Sequence, residues 1–191
     1  MIFGEKSIEG ILSGKKTMTR RLVKEGEELM STKRNILGSV LPYSELYNRT
    51  WYFDCVQKNG RVKWQVGNDY AVCPGRGKRG LLYCPKCYSI SAYSKEVWCA
   101  IKKNHKEEIK MKPLRVVIKS IRKEKLLDIS EADAKKEGYK NCVEFVEAFA
   151  YINRKSLPTE IKKLNGMLVP SLKKLEMWNP FVWVLEFEVL K

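Results

Sequence analysis

The chain has 191 residues, with 37 Lys and Arg against 22 Asp and Glu, a formal net charge of +15; the length suits one elaborated domain of about 100–200 residues. Hydrophobic residues at 44% and aromatics at 10% exclude global disorder, and apolar runs such as Phe181–Leu185 fall far short of the ~20 residues a membrane-spanning helix needs. Residues 1–24 carry charges throughout and lack the apolar stretch of a secretory signal, so the six cysteines read as free thiols or metal ligands in a soluble, cytoplasmic, basic protein.

Taken in chain order, Ser7–Lys16 predicts a short helix, with Ser7 as its N-cap, Ile8, Ile11 and Leu12 on one face, and Gly14 ending it. A basic turn, Lys15 to Arg21, follows, and residues 25–48 have only weak periodicity. Thr50–Val56 and Val62–Val66 flank Lys58-Asn59-Gly60-Arg61, a hairpin signal. Tyr70–Cys73 and Leu81–Tyr83 are short strand candidates on either side of the glycine-rich stretch Gly75 to Gly80. Residues 94–112 are polar and lysine-rich and predict a loop or an exposed helix, and Leu114–Ile121 predicts a strand.

Ser130 with Asp133 three residues on is an acidic variant of the capping box, opening a helix that runs to Glu137 and stops at Gly138. Cys142–Asn153 predicts a second helix with Val143, Val146, Phe149 and Ala150 on one face. Residues 156–178, punctuated by Pro158 and Pro170, read as helical or irregular. Phe181–Leu190 closes the chain as a strand whose first half is apolar on both faces, the mark of a central position. The expected class is α+β with strands dominating the core.

The charge is unevenly placed, because residues 57–125 carry 18 basic and 5 acidic side chains while residues 126–191 carry 10 of each. A basic field interleaved with Trp64, Tyr70, Tyr83, Tyr88, Tyr93 and Trp98 fits polyanion binding with base stacking; the alternative is a solvated lysine-rich surface. The turn holding Lys15, Lys16, Thr17, Thr19, Arg20 and Arg21 combines cations and hydroxyls suited to a phosphate or an oxyanion. It lacks P-loop spacing, and simple solvation is the competing reading. Arg76, Lys78 and Arg79 extend the candidate nucleic-acid-binding set of Lys15, Thr17, Arg20 and Arg21.

Glu137 places a carboxylate at the negative end of a helix dipole, which is unfavourable unless a cation lies close; it is either a site residue or a frayed surface glutamate. Cys84-Pro85-Lys86-Cys87 has zinc-knuckle spacing, and Cys73 precedes it by eleven residues. Cys73, Cys84 and Cys87 are therefore candidate ligands of a structural zinc, with Cys55, Cys99 or His105 as a fourth, against a redox pair or unliganded thiols. No other cofactor is required, and His105, the only histidine, has no supporting catalytic signature.

These residues carry a resemblance. Met1–Lys24, containing ILSGKKTMTRR, resembles the opening of the ASCH (activating signal cointegrator homology) family; Lys123–Gly138, KEKLLDISEADAKKEG, and Asn179–Phe187, NPFVWVLEF, resemble its later motifs, with wording closest to phage and prophage members. Gly77–Tyr83 resembles the family's central strand more loosely, and Gly80-Leu81-Leu82-Tyr83-Cys84-Pro85 departs from its Asp and Arg-Glu.

The resemblance implies a single PUA-like β-barrel over residues 1–191, with packed helices, a basic middle insertion, and family-atypical segments at 25–66 and 84–112. It implies RNA or a modified nucleoside as ligand, bound in a cleft, and no membrane partner. Small bacterial members of the family hydrolyse N4-acetylcytidine with a Lys, a Thr and a Glu, which fall here on Lys16, Thr19 and Glu137. The expected function is RNA recognition beside a basic surface. The alternatives are an N4-acetylcytidine amidohydrolase-like or ribonuclease activity, with Thr19 as nucleophile or positioning a water, and a phage factor acting on a protein partner.

Overall fold

The computed structural model describes residues 1–33, 51–74, 80–86, 88, 90–92, 110–158 and 178–190. In chain order the elements are α1 (Glu5–Leu12), β1 (Met18–Leu22), β2 (Glu28–Lys33), β3 (Trp51–Val56), β4 (Val62–Gln65), β5 (Asp69–Ala71), β6 (Leu81–Tyr83), β7 (Ile90–Ala92), β8 (Lys112–Pro113), β9 (Arg115–Lys125), α2 (Glu131–Lys136), α3 (Cys142–Ile152) and β10 (Phe181–Leu190). The class is mixed α+β, dominated by strands. One sheet runs β1-β10-β9-β5, a second β2-β3-β4 and a third β7-β6-β8; the strands curl as a half-barrel.

β10 organises the core. Its pairing with β1 sets Thr19 opposite Leu185 and Arg20 opposite Val184, and its pairing with β9 shifts register between Glu186 and Phe187. Successive side chains of a strand point to opposite faces, so β10 buries both sides. Val182 and Val184 join Met18, Leu126, Phe145, Val146 and Phe149 under the helices. Trp183 and Leu185 join Cys55, Ile118 and Ile121, while Phe187 packs with Phe3, Ile8, Ile11 and Leu114. The doubly apolar run in the sequence is explained by a strand packed on both faces, under the helices on one and against other strands on the other.

Several predicted boundaries move. Helix α1 begins at Glu5 after Gly4, two residues before Ser7, because the Ile8 amide already bonds the Gly4 carbonyl at 3.0 Å. In α3 the inward stripe is Phe145, Val146, Phe149 and Ala150, and Val143 is 43% exposed. The predicted basic turn ends at Thr17: Met18 to Leu22 are a strand, and Arg20 is 3% exposed. β2 arises within the stretch that showed only weak periodicity, paired along β3 from Glu28–Val56 to Lys33–Trp51. Strand β9 runs four residues past the predicted end at Ile121, held along its whole length by β10.

The hairpin at Gly60, the strands β5 and β6, and the Ser130 cap stand where the sequence places them. Gly60 takes φ +76°, and the Ser130 side chain accepts from the Asp133 amide at 3.1 Å. The glycine-rich 75–79, most of the lysine-rich 94–112 and residues 159–177 lie outside the described residues.

Candidate functional site

The turn after α1 is built so that Lys16 enters the protein. Gly14 takes φ +73° to reverse the chain, and the Lys16 amide then bonds back to the Gly10 carbonyl at 2.9 Å. The Thr17 amide bonds the Lys136 carbonyl at 2.9 Å, tying this turn to the end of α2. Gly10 presents no side chain where one would stand 3.1 Å from the Lys16 Cβ, and a Cβ at Gly138, which takes φ +90°, would stand 3.9 Å from the same atom. Two glycines, one from α1 and one from the turn after α2, therefore leave room for the base of the lysine.

Its ammonium meets Glu137. Lys16 Nζ donates to Glu137 Oε2 and to the Glu137 carbonyl, both at 2.7 Å, and both residues are 4% exposed. The carbonyl at the C-terminus of α2 is the negative end of the helix dipole, so one cation answers both the dipole and the carboxylate. Arg20 Nη1 stands 3.5 Å from Glu137 Oε1, an oxygen that accepts no hydrogen bond among the described residues. Burial holds Lys16 below the usual lysine range against the pull of Glu137. Burial likewise holds Glu137 above the usual carboxylate range, against Lys16 and the two arginines. The ion pair is thus brought nearer to sharing its proton than it would be in water.

Arg20 is fixed from three sides. Nε and Nη2 donate to Glu124 Oε1 at 3.0 and 2.6 Å, Nη2 reaches Asp133 Oδ2 at 2.9 Å, and the guanidinium lies 5.5 Å from the Phe145 ring centre. Arg122 bridges the same Glu124 and Asp133. Expected as a nucleic-acid contact, Arg20 is instead an internal cation that ties β1 to β9 and α2. Arg21 projects to the other face, where it bonds the Ile2 carbonyl and lies 5.3 Å from the Phe3 ring centre.

A cleft of about 750 Å³ opens over the Lys16–Glu137 pair, between α1 and the turn joining α2 to α3. Lys6, Lys15, Lys135 and Lys140 stand on its walls, with Tyr139 held edge-on to Phe145 at 5.4 Å. Of these only Lys15 was singled out from the sequence; Gly10, a glycine inside an apolar-periodic helix, was the available signal for close packing. Thr19 does not join the pair. Opposite Leu185, on the face of β1 away from Arg20, it is 5% exposed and does not line the cleft.

Of the remaining candidates, Lys15 is exposed at the cleft and Thr17 half-buried beside it. Arg76, Lys78, Arg79, Cys87, Cys99 and His105 lie outside the described residues. Cys73 is half-buried where Ile2 bridges to it, and Cys84 is buried just after β6. Cys55 sits in the core beside Trp183, its thiol pushed up to about 12 first by burial and then by Glu27; as a protonated core thiol it is a poor fourth ligand. Among the described residues no group of three His, Cys, Asp or Glu is placed to hold a metal. No family model matches the chain, and neither a curated protein nor a solved structure matches it.

Proposed function

We propose that the chain is an RNA-binding protein with a PUA-like, ASCH-type barrel, which takes an unpaired base or a modified nucleoside into the cleft over Lys16 and Glu137. The observation that carries this reading is the desolvated Lys16–Glu137 pair on the cleft floor, backed from below by Arg20. Glu137 Oε1, buried and without a hydrogen-bond partner among the described residues, lies beside an ammonium that has given two of its three protons to Glu137. An adjacent donor and acceptor in a water-poor setting match the edge of a base such as cytosine, whose exocyclic amine donates next to ring acceptors. The strand-dominated half-barrel supports the fold assignment, and the +15 charge supports a polyanionic partner.

The test is fluorescence anisotropy with short single-stranded RNA, together with calorimetry on nucleosides including N4-acetylcytidine. Salt-dependent binding that falls at least tenfold in Lys16→Ala and Glu137→Gln, roughly the effect of one charge-assisted hydrogen bond, supports the reading. Absence of binding to every RNA and nucleoside overturns it.

A second reading, hydrolysis of an acylated cytidine, is favoured by the same pair, because a buried Lys–Glu couple at 2.7 Å can take a proton from water and return it to a leaving amine. Thr19, buried and absent from the cleft lining, then fits a supporting role better than that of nucleophile. Acetate release from N4-acetylcytidine that requires Lys16 and Glu137 would establish this reading over simple recognition.

A further inference from the structure

Resting on the nucleobase reading of this cleft, we infer that its ligand is a phosphorylated nucleotide, with the phosphate held by the lysines of the cleft wall. Lys6 comes from the first turns of α1, Lys15 from the turn after it, Lys135 from the end of α2, and Lys140 from the approach to α3. Four separate places in the fold thus bring four lysines to one opening. All four are exposed, and none forms an ion pair with a described residue. Lys136, on α2 but outside the cleft lining, is by contrast bonded to Glu186 at 2.7 Å. Of the two lysines that end α2, the one lining the cleft, Lys135, is the one without an ion pair to a described residue.

Two carboxylates share the lining. Glu144 is turned to the Lys140 amide, which it accepts at 2.8 Å, and Glu9 lies on α1. With the floor pair neutral overall, four cations against two anions leave the mouth positive. A nucleoside is uncharged and gains nothing from that excess. A phosphate, with several acceptor oxygens, can be met by two or more flexible ammonium groups at once. Tyr139 supplies an aromatic wall between the floor and the phosphate-binding rim. The same chemistry is presented by a free mononucleotide and by one residue of an RNA strand.

The experiment is calorimetric titration of the full chain with ribonucleosides including N4-acetylcytidine, their 5′-monophosphates, and a short single-stranded oligoribonucleotide. Each is repeated with Lys15→Ala, Lys140→Ala and the double variant, whose folding is checked by circular dichroism. The monophosphates are expected to bind at least tenfold tighter than the nucleosides. Each lysine removed should weaken monophosphate binding roughly two- to fivefold, the range of exposed charge pairs, and leave nucleoside binding unchanged. Added salt should weaken the monophosphates and the oligoribonucleotide and leave the nucleosides unaffected.

Tighter binding of the oligonucleotide than of the monophosphate assigns the phosphate to an RNA strand, and equal binding assigns it to a free nucleotide; both support the inference. Equal affinity for nucleoside and monophosphate overturns it while leaving the nucleobase reading intact. Failure of every ligand to bind overturns both.

Discussion

At the scale of the residue, the central fact is that Lys16 and Glu137 are buried together, 2.7 Å apart, where either alone would be a desolvated charge. The Coulombic gain of such a pair offsets its desolvation only while both members are present. Lys16→Met and Glu137→Gln should therefore each destabilise the fold by about 3–5 kcal/mol, while the two combined recover most of that loss. Urea unfolding of the two singles and the double closes the cycle, and additive effects would show that the two groups do not depend on each other. The sequence signalled Glu137 through its misfit with the helix dipole, and the family resemblance set Lys16 beside it as a site residue. It gave no sign that Arg20 would be buried, because its carboxylates, Glu124 and Asp133, lie more than a hundred positions along the chain.

At the scale of the element, α2 is six residues long, too short to persist as an isolated helix. It survives through its ends: Ser130 caps the first turn, Asp133 is bound by Arg20 and Arg122, and Glu137 is held by Lys16. The capping residues were legible because N-cap chemistry is local. β1 was not, since Met-Thr-Arg-Arg-Leu has no apolar alternation; the carboxylates of β9 and α2 are what make Arg20 tolerable inside the fold.

The same dependence on neighbours governs α1, whose Gly10 backs directly onto Lys16. Gly10→Ala should improve helix propensity by up to about 1 kcal/mol while pressing a new methyl against the Lys16 stem. The expected outcome is a global stability within about 1 kcal/mol of the parent and a clear loss of ligand affinity at the cleft. Calorimetry beside thermal unfolding separates the two, and unchanged affinity would mean that Lys16 is not held by this contact.

At the scale of the whole molecule, β10 reaches all three apolar clusters, and Trp183 connects it to the sheet of β2, β3 and β4. The Trp183 indole donates to Glu27 Oε2 at 2.9 Å, Lys63 reaches Oε1 at 2.6 Å, and the Lys24 amide bonds Oε2 at 3.1 Å. One buried carboxylate therefore joins the β1–β2 connection, β4 and β10. Burial raises the pKa of Glu27, but the donors around it outweigh that effect and hold it below the usual carboxylate range. A carboxylate depressed in the folded state stabilises above its unfolded value of about 4.5, and that contribution is lost as pH falls through the folded value. Glu137, raised by burial, has the opposite sign, so acid titration of the parent mixes the two.

The difference between the parent and Glu27→Gln removes that ambiguity, because every other group is common to both chains. At neutral pH the parent should be more stable by about 1–3 kcal/mol, the range for a hydrogen bond to a charged group, and the gap should narrow steadily as pH drops below about 4.5. Denaturant unfolding at a series of pH values measures it directly. A gap that stays constant with pH would show that Glu27 acts through shape and neutral hydrogen bonds, and that its buried charge is not what fastens β10 to the strands around it.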